Sequence, residues 1–132
     1  MTFECLCGDV TITTRTKPEF AHACNCTLCR KSGARWAYFH PGEVALSGRT
    51  TSYRRADKAD PSAEIHACAR CAVTTHFVLT EAAIAQHGNT MMGLNINLAE
   101  PEALRGVELR FPDGRGWDGV GAFEYVEPAR SL

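Results

Sequence analysis

The sequence predicts a mainly β fold in one small domain that spans residues 1–132, stabilised by zinc and carrying one or two short helices. Short segments rich in β-branched and aromatic residues are separated by glycine and proline turn signals, as in all-β domains. Glycine is frequent, with 11 in 132 residues, which suits a fold with many turns. The seven cysteines fall into short-spaced clusters, the pattern of a metal site drawn from several loops.

The first predicted strand, residues 10–14, alternates apolar and polar side chains. The second, residues 35–40, is rich in aromatic residues and ends at the turn signal Pro41-Gly42. Six further segments have the same character, and two short stretches predict helices, the second of which opens with a proline. The six strands are at 44–46, 51–54, 74–79, 91–98, 107–111 and 122–126, and the helices at 81–86 and 101–105.

Composition excludes several classes of protein. The formal net charge is −1, and the basic residues are scattered without the aromatic residues of a base-stacking platform, so we expect no nucleic-acid partner. No apolar run approaches the ~20 residues of a membrane span, and no signal segment begins the chain, so we expect no membrane partner. The predicted location is the cytoplasm.

The cysteines predict metal binding rather than disulfides. Their number is odd and the expected compartment is reducing, both of which argue against a disulfide framework. Every cysteine instead belongs to a cluster with short internal spacing. The clusters are CxC at Cys5 and Cys7, CxCxxC at Cys24, Cys26 and Cys29, and CxxC at Cys68 and Cys71.

Seven ligands divide naturally into a closed site of four and an open site of three. A closed site is typical of structural zinc, and an open coordination position is typical of catalytic zinc. The CxCxxC cluster supplies three ligands by itself, which leaves CxC and CxxC to form the closed site. Spacing alone leaves two alternatives: CxC could join part of the triplet, or His22 could complete the second site.

A zinc ion held by three thiolates favours a soft fourth ligand, and the natural candidate is the sulfur of a small thiol. Arg30 and Lys31 follow the triplet directly and could offset its negative charge or meet the carboxylates of such a thiol. The alternative is that they are solvated surface charges or helix-end residues, an interpretation that is favoured for Lys31. Asn95 and Asn97 would share one face of a predicted strand.

Three stretches of this sequence resemble the glutathione-dependent formaldehyde-activating enzyme family. They are CLCG at 5–8, HACNCTLCRKSGA at 22–34 and CARC at 68–71. The resemblance implies a tent-like, all-β Gfa-like fold with two zinc ions per chain. It also implies a structural zinc on Cys5, Cys7, Cys68 and Cys71, and a catalytic zinc on Cys24, Cys26 and Cys29. The sequence departs from the family at Ala67 and Ala72, where an aromatic residue and a glycine are usual.

Together these features predict a zinc-dependent carbon–sulfur lyase. It would make or break a bond between a small, glutathione-like thiol and a small carbon electrophile such as formaldehyde, with Arg30 as an additional site residue. The alternative is a zinc-stabilised module that binds a protein partner, or a carrier of glutathione adducts, without catalysis. The open three-cysteine site favours the enzyme, because a binding module needs only the closed one.

Overall fold

The structure is a computed structural model that describes residues 1–128, 130 and 131; the predicted domain end at residue 132 lies outside them. The described residues form ten strands in two sheets, which confirms the mainly β fold. The strands are β1 (Thr2–Glu4), β2 (Thr11–Thr14), β3 (Phe20–His22), β4 (Trp36–Phe39), β5 (Val44–Ser47), β6 (Thr50–Arg54), β7 (Ala63–Cys68), β8 (Thr74–Leu79), β9 (Met92–Asn95) and β10 (Glu108–Arg110).

Two short α-helices interrupt the strands in the described part of the chain, α1 (Thr27–Ser32) and α2 (Glu81–His87). The side chain of Thr80 caps α2 by accepting from the N–H of Ala83, which satisfies one of the free donors of the first turn. Single 3-10 turns lie at Pro41–Glu43, Ile96–Leu98 and Pro101–Leu104. No helix among the described residues is both long and apolar enough to cross a membrane.

The smaller sheet has the order β1-β2-β5 and is antiparallel. Its register pairs Phe3 with Ile12, and Ile12 with Leu46. Phe3 and Ile12 are fully buried while their neighbours in sequence face outward, because side chains alternate along a strand. One face of this sheet therefore forms part of the core.

The larger sheet has seven strands in the order β10-β3-β4-β9-β8-β7-β6, and only the edge pair β10–β3 is parallel. Gly93 in β9 is required by packing, since a Cβ there would lie 2.0 Å from Cε1 of Phe77 in β8. One face of the large sheet packs with the smaller sheet around Phe3, Phe39 and Leu94. Its other face carries Trp36 and Phe77, which pack against the CxCxxC loop.

The observed elements differ from the predicted ones in identifiable places. The predicted strand 91–98 ends at Asn95 and continues as a 3-10 turn, and 101–105 is a 3-10 turn rather than an α-helix. Segment 122–126 forms one isolated bridge, Pro112 to Tyr125, instead of a strand. The sequence prediction missed β1, β3, β7 and α1. All four are only three to six residues long, and the three strands are stabilised by pairing with other strands, which local periodicity does not reveal.

Candidate metal centres

The CxC and CxxC cysteines meet in space although they lie far apart in sequence. Cys5 and Cys7 follow β1, while Cys68 ends β7 and Cys71 lies in the turn before β8. The sulfurs of Cys5 and Cys7 are 3.7 Å apart, as are those of Cys7 and Cys68, and all four lie within 4.8 Å of one another. This group, hereafter the four-cysteine cluster, could hold a metal ion.

The sulfur–sulfur distances test that assignment. A tetrahedral zinc with Zn–S bonds of about 2.3 Å requires sulfurs about 3.8 Å apart. A disulfide requires about 2.05 Å. The 3.7 Å separations in the four-cysteine cluster therefore fit a shared metal and not a covalent pair.

Backbone N–H groups also point at these sulfurs. The N–H of Val10 donates to Cys5 Sγ at 3.2 Å, and the N–H of Arg70 donates to Cys68 Sγ at 3.4 Å. The Val73 N–H lowers the pKa of Cys71 to about 6. Such donors stabilise thiolate, the form in which cysteine binds metal.

The departure from the family at Ala72 has a structural consequence. Its φ is 62°, so a residue with a Cβ occupies a left-handed position after the CxxC turn. Glycine adopts this conformation without the steric cost that alanine carries. The other departure, Ala67, lies where the β7–β8 register shifts by a bulge.

The second group, hereafter the triplet, is held by one loop and one helix turn. Cys24 follows β3, Cys26 is the N-cap of α1, and Cys29 lies within α1. Cys26 Sγ accepts from the N–H of Cys29 and Cys24 Sγ accepts from the N–H of Cys26, both at 3.4 Å. The three sulfurs lie within 4.8 Å of one another and could hold a metal ion.

The electrostatics of the triplet favour a bound cation. The thiols of Cys24 and Cys29 hydrogen bond to Cys26 and lower its pKa, so Cys26 takes the first negative charge. Hydrogen bonds with Cys24 and Cys26, together with burial, raise the pKa of Cys29 well above its usual range. Three adjacent thiolates would repel one another in the absence of a positive charge, and a divalent cation removes that repulsion.

Aromatic side chains form the wall behind the triplet. Trp36 is buried in β4, and its Nε1–H donates to Cys29 Sγ at 3.3 Å. Phe77 meets the Trp36 ring edge to face, with centroids 5.1 Å apart, and Tyr38 packs on the same cluster. Trp36 lies in the aromatic-rich segment 35–40, and its indole is a hydrogen-bond donor to a candidate metal-binding sulfur.

His22 does not complete the triplet. Its Nδ1 is 2.9 Å from the hydroxyl of Tyr38, and its Nε2 is 3.2 Å from the hydroxyl of Tyr125. Burial, followed by the nearby Arg110, lowers its pKa and keeps the ring neutral. Among the described residues, no histidine joins the triplet sulfurs in a metal-binding group.

Arg55 is a partly buried cation whose pKa is affected by the triplet, and no sequence motif identified it. Arg30 and Lys31 occupy the last turn of α1 and are exposed. Arg55 is fixed by Asp57, with Nε 2.8 Å from Oδ1, and its side chain is only 21% exposed. Asp57, followed by Cys26 and Cys29, raises the pKa of Arg55. No local motif marks it, because folding brings its loop to the triplet.

Asn95 and Asn97 have structural roles. Asn95 Oδ1 accepts from the N–H of Arg35 at 3.3 Å, and its Nδ2 donates to the Thr74 carbonyl at 2.8 Å. Asn97 lies in the 3-10 turn rather than on a strand face, and donates to the carbonyl of Gly33 at 2.8 Å. Both side chains fix the backbone that follows α1, and so position the triplet indirectly.

The sequence model of the family "Glutathione-dependent formaldehyde-activating enzyme" matches residues 1–103. The chain belongs to this family. Membership supports an enzyme and suggests activity related to glutathione and formaldehyde, and it confirms the resemblance found in the sequence. No curated protein is significantly similar to the chain in sequence.

A solved structure supports the fold independently. The crystal structure of a Rhodobacter sphaeroides protein, a structural genomics target, superposes with a TM-score of 0.60 at 23% sequence identity. The match covers 83% of this chain and 99% of that chain. At this level of identity the similarity concerns the fold alone.

Proposed function

We propose that this protein is a zinc-dependent carbon–sulfur lyase that joins a small glutathione-like thiol to a small carbon electrophile such as formaldehyde, or separates them. The observation that carries the proposal is that a separate three-sulfur cluster exists in addition to a complete four-sulfur cluster. We assign structural zinc to Cys5, Cys7, Cys68 and Cys71, and catalytic zinc to Cys24, Cys26 and Cys29. Four protein ligands close a structural site, whereas three leave a position for substrate.

The donor set supports zinc as the metal. Both clusters offer only sulfur, which suits zinc and other soft metals and disfavours magnesium and calcium. When bound at the triplet, zinc would keep a fourth, external sulfur deprotonated near neutral pH. His22 is engaged by two tyrosine hydroxyls, which favours a fourth ligand from outside the chain.

The protein side chains would bind, orient and shield the reacting groups. Trp36 donates to Cys29 Sγ and fixes its direction, and the aromatic wall of Trp36, Phe77 and Tyr38 limits access of water. Arg30 at the end of α1 and Arg55 in its loop are the cations we assign to the carboxylates of the thiol. Positive charge there would also offset the net negative charge of three thiolates.

Addition of a thiol to an aldehyde forms one sulfur–carbon bond and breaks the π bond of the carbonyl. The proton lost by the thiol ends on the carbonyl oxygen, and no oxidant or reductant is needed. The Tyr38 hydroxyl, bonded to His22 Nδ1, is the protonated group that we assign to this oxygen. Burial, and then the triplet thiolates, raise the pKa of Tyr38, so that it stays a hydrogen-bond donor at neutral pH.

Cobalt substitution tests the open position. We expect the reconstituted protein to bind two metals per chain, and glutathione to raise the sulfur-to-cobalt charge-transfer band. The Cys26→Ser variant should lose this response, while His22→Ala should keep it. A spectrum that no thiol perturbs, but that His22→Ala changes, would mean that histidine closes the site.

Turnover distinguishes an enzyme from a carrier. Glutathione and formaldehyde combine without a catalyst, so the measurement is exchange between the free thiol and its adduct, followed by NMR line shapes. Zinc-loaded wild type should accelerate exchange at substoichiometric concentration, and Cys26→Ser should not. Binding of the adduct with an unchanged exchange rate would leave only the carrier function.

A further inference from the structure

The C-terminal hairpin, residues 111–126, lies outside the region matched by the family. Two backbone bonds close it: the N–H of Asp113 donates to the Glu124 carbonyl at 2.7 Å, and the N–H of Val126 donates to the Phe111 carbonyl at 2.9 Å. The loop that these bonds close, residues 114–123, folds back on the CxCxxC segment. A part of the chain distant in sequence therefore borders the triplet.

Asn25, between two of the triplet cysteines, attaches this hairpin. Its Nδ2 donates to Asp113 Oδ1 at 2.7 Å, and its Oδ1 accepts from the N–H of Arg115 at 2.9 Å. Asp113 Oδ1 also accepts from the N–H of Gly116 at 3.3 Å, which shapes the loop. One amide side chain thus joins the cysteine loop to the hairpin through two direct bonds.

Gly114 lies against the triplet itself. A Cβ at this position would be 2.3 Å from Cys24 Sγ and 3.0 Å from Cys26 Cβ. Real Cβ atoms do not approach a sulfur so closely, so the backbone of Gly114 fills the space beside Cys24 at van der Waals contact.

The second half of the hairpin is anchored as well. The Tyr125 hydroxyl is 3.2 Å from His22 Nε2, and the ring of Phe123 meets the His22 ring edge to face at 5.9 Å. Trp117 packs on Phe123 with centroids 4.6 Å apart. With attachments at Asn25 and at His22, the hairpin has little freedom to move away from Cys24.

We propose that this hairpin is a fixed wall of the triplet site that selects primary thiols, with Gly114 as the specificity-determining residue and Asn25 and Asp113 as positioning residues. The selection rests on the proposed function of the triplet, whereas the wall is a property of the fold. A sulfur that completed the triplet on the side of Gly114 would place its own carbon near the Gly114 backbone. A CH₂ group fits more easily there than a carbon bearing two methyl groups.

Two thiols with the same charged groups test the selection: cysteine, which is primary, and penicillamine, which is tertiary. In the cobalt-loaded wild type we expect penicillamine to bind about tenfold more weakly, the scale of discrimination that one or two methyl groups produce. In Asp113→Ala and in Asn25→Ala the ratio should fall to within about twofold. Asp113→Asn should restore it, because the amide oxygen can still accept from Asn25 Nδ2.

A second readout does not require thiol binding. The bulky chelator 4-(2-pyridylazo)resorcinol should remove the metal at the triplet about tenfold faster from Asp113→Ala than from wild type or Asp113→Asn. The matched control is Asp118→Ala, which removes a carboxylate from the same loop but only a bond to the N–H of Val120. Its chelation rate should equal that of wild type.

The outcomes separate the two claims. If no thiol changes the cobalt spectrum of any variant, the function proposed for the triplet fails, and the chelation rates still decide whether the hairpin is a wall. Equal chelation rates in wild type, Asp113→Ala and Asn25→Ala would overturn the wall. Equal binding of cysteine and penicillamine to wild type would overturn the selection.

Discussion

The two cysteine clusters differ in how their members are drawn together. Cys7 and Cys68 are 61 residues apart, and their sulfurs meet only because β1 and the β7–β8 turn are neighbours in the fold. The triplet spans six residues, and its geometry is set by the N-cap of α1 and two local N–H donors. One cluster joins distant parts of the chain and the other shapes a single loop.

Because of this difference, a metal bound by the same ligand type should contribute differently to stability at the two clusters. A metal that closes a long loop contributes directly to folding free energy, because the unfolded chain would have to order many residues to bind it. A metal held by one local loop contributes less to the global fold. Geometry therefore suits the four-cysteine cluster to stability and leaves the triplet free to change ligands.

The largest expected effect comes from breaking each cluster in turn. Cys68→Ser should lower the free energy of unfolding by roughly 5 kcal/mol or prevent folding, since it opens the connection between distant segments. Cys26→Ser should lower the free energy of unfolding by less than about 1 kcal/mol and remove only the metal at the triplet. Denaturant unfolding combined with metal analysis measures both. Equal destabilisation would show that the clusters do not differ in this way.

A change of pH also tests the comparison, because a stacked histidine pair lies on β7 and β8, the two strands that the CxxC turn joins. His76 stacks on His66 at 4.4 Å, and Glu64 Oε1 is 3.4 Å from His66 Nε2. Burial, followed by His66, lowers the pKa of His76 to about 4. In the unfolded chain its pKa is about 6.5. Between these two pH values His76 is protonated in the unfolded state but not in the folded state. The contribution of neutral His76 to stability is therefore complete above pH 6.5 and is lost as the pH falls towards 4.

We therefore expect His76 to account for about 2 kcal/mol of the stability lost between pH 7 and pH 5. The comparison is the pH dependence of denaturant unfolding in wild type and in His76→Gln, which cannot take up the proton. The remaining loss in the variant reports protonation of the thiolates. Identical slopes for the two proteins would remove His76 from the acid response.

Trp36→Phe tests whether the surroundings of the triplet tune its metal. The variant keeps an aromatic ring against Phe77 but loses the Nε1–H that donates to Cys29 Sγ. Loss of this hydrogen bond to a ligand sulfur should weaken metal binding at the triplet about tenfold and leave metal binding at the four-cysteine cluster unchanged. Competition with a chelator measures both affinities. A uniform loss at both sites would indicate a general packing defect.

The smallest effect concerns the turn at the four-cysteine cluster. Ala72→Gly should raise the free energy of unfolding by about 0.5–1 kcal/mol, because glycine adopts the φ of 62° without steric cost. Ala69→Gly, in the same turn at an ordinary φ, should lower it by a similar amount through added freedom of the unfolded chain. Thermal unfolding of the two variants checks the opposite signs.

The sequence alone determined the fold class, the family and the grouping of the cysteines. Strands such as β2 and β8 carry their alternation or β-branched content locally, so they were visible without any partner. CxC, CxCxxC and CxxC spacings restrict ligand geometry over a few residues, which is why the ligand candidates could be named from the chain.

Only the tertiary structure decided which groups surround the triplet. Trp36 and Tyr38 look like core residues in the sequence, Arg55 lies in a featureless polar loop, and Gly114 is one glycine among several in a turn-rich stretch. Their roles come from contacts between segments far apart in the chain, which leave no local period or motif. Spacing specifies the ligands because it acts over a few bonds, whereas the environment of the site depends on how the whole chain closes around it.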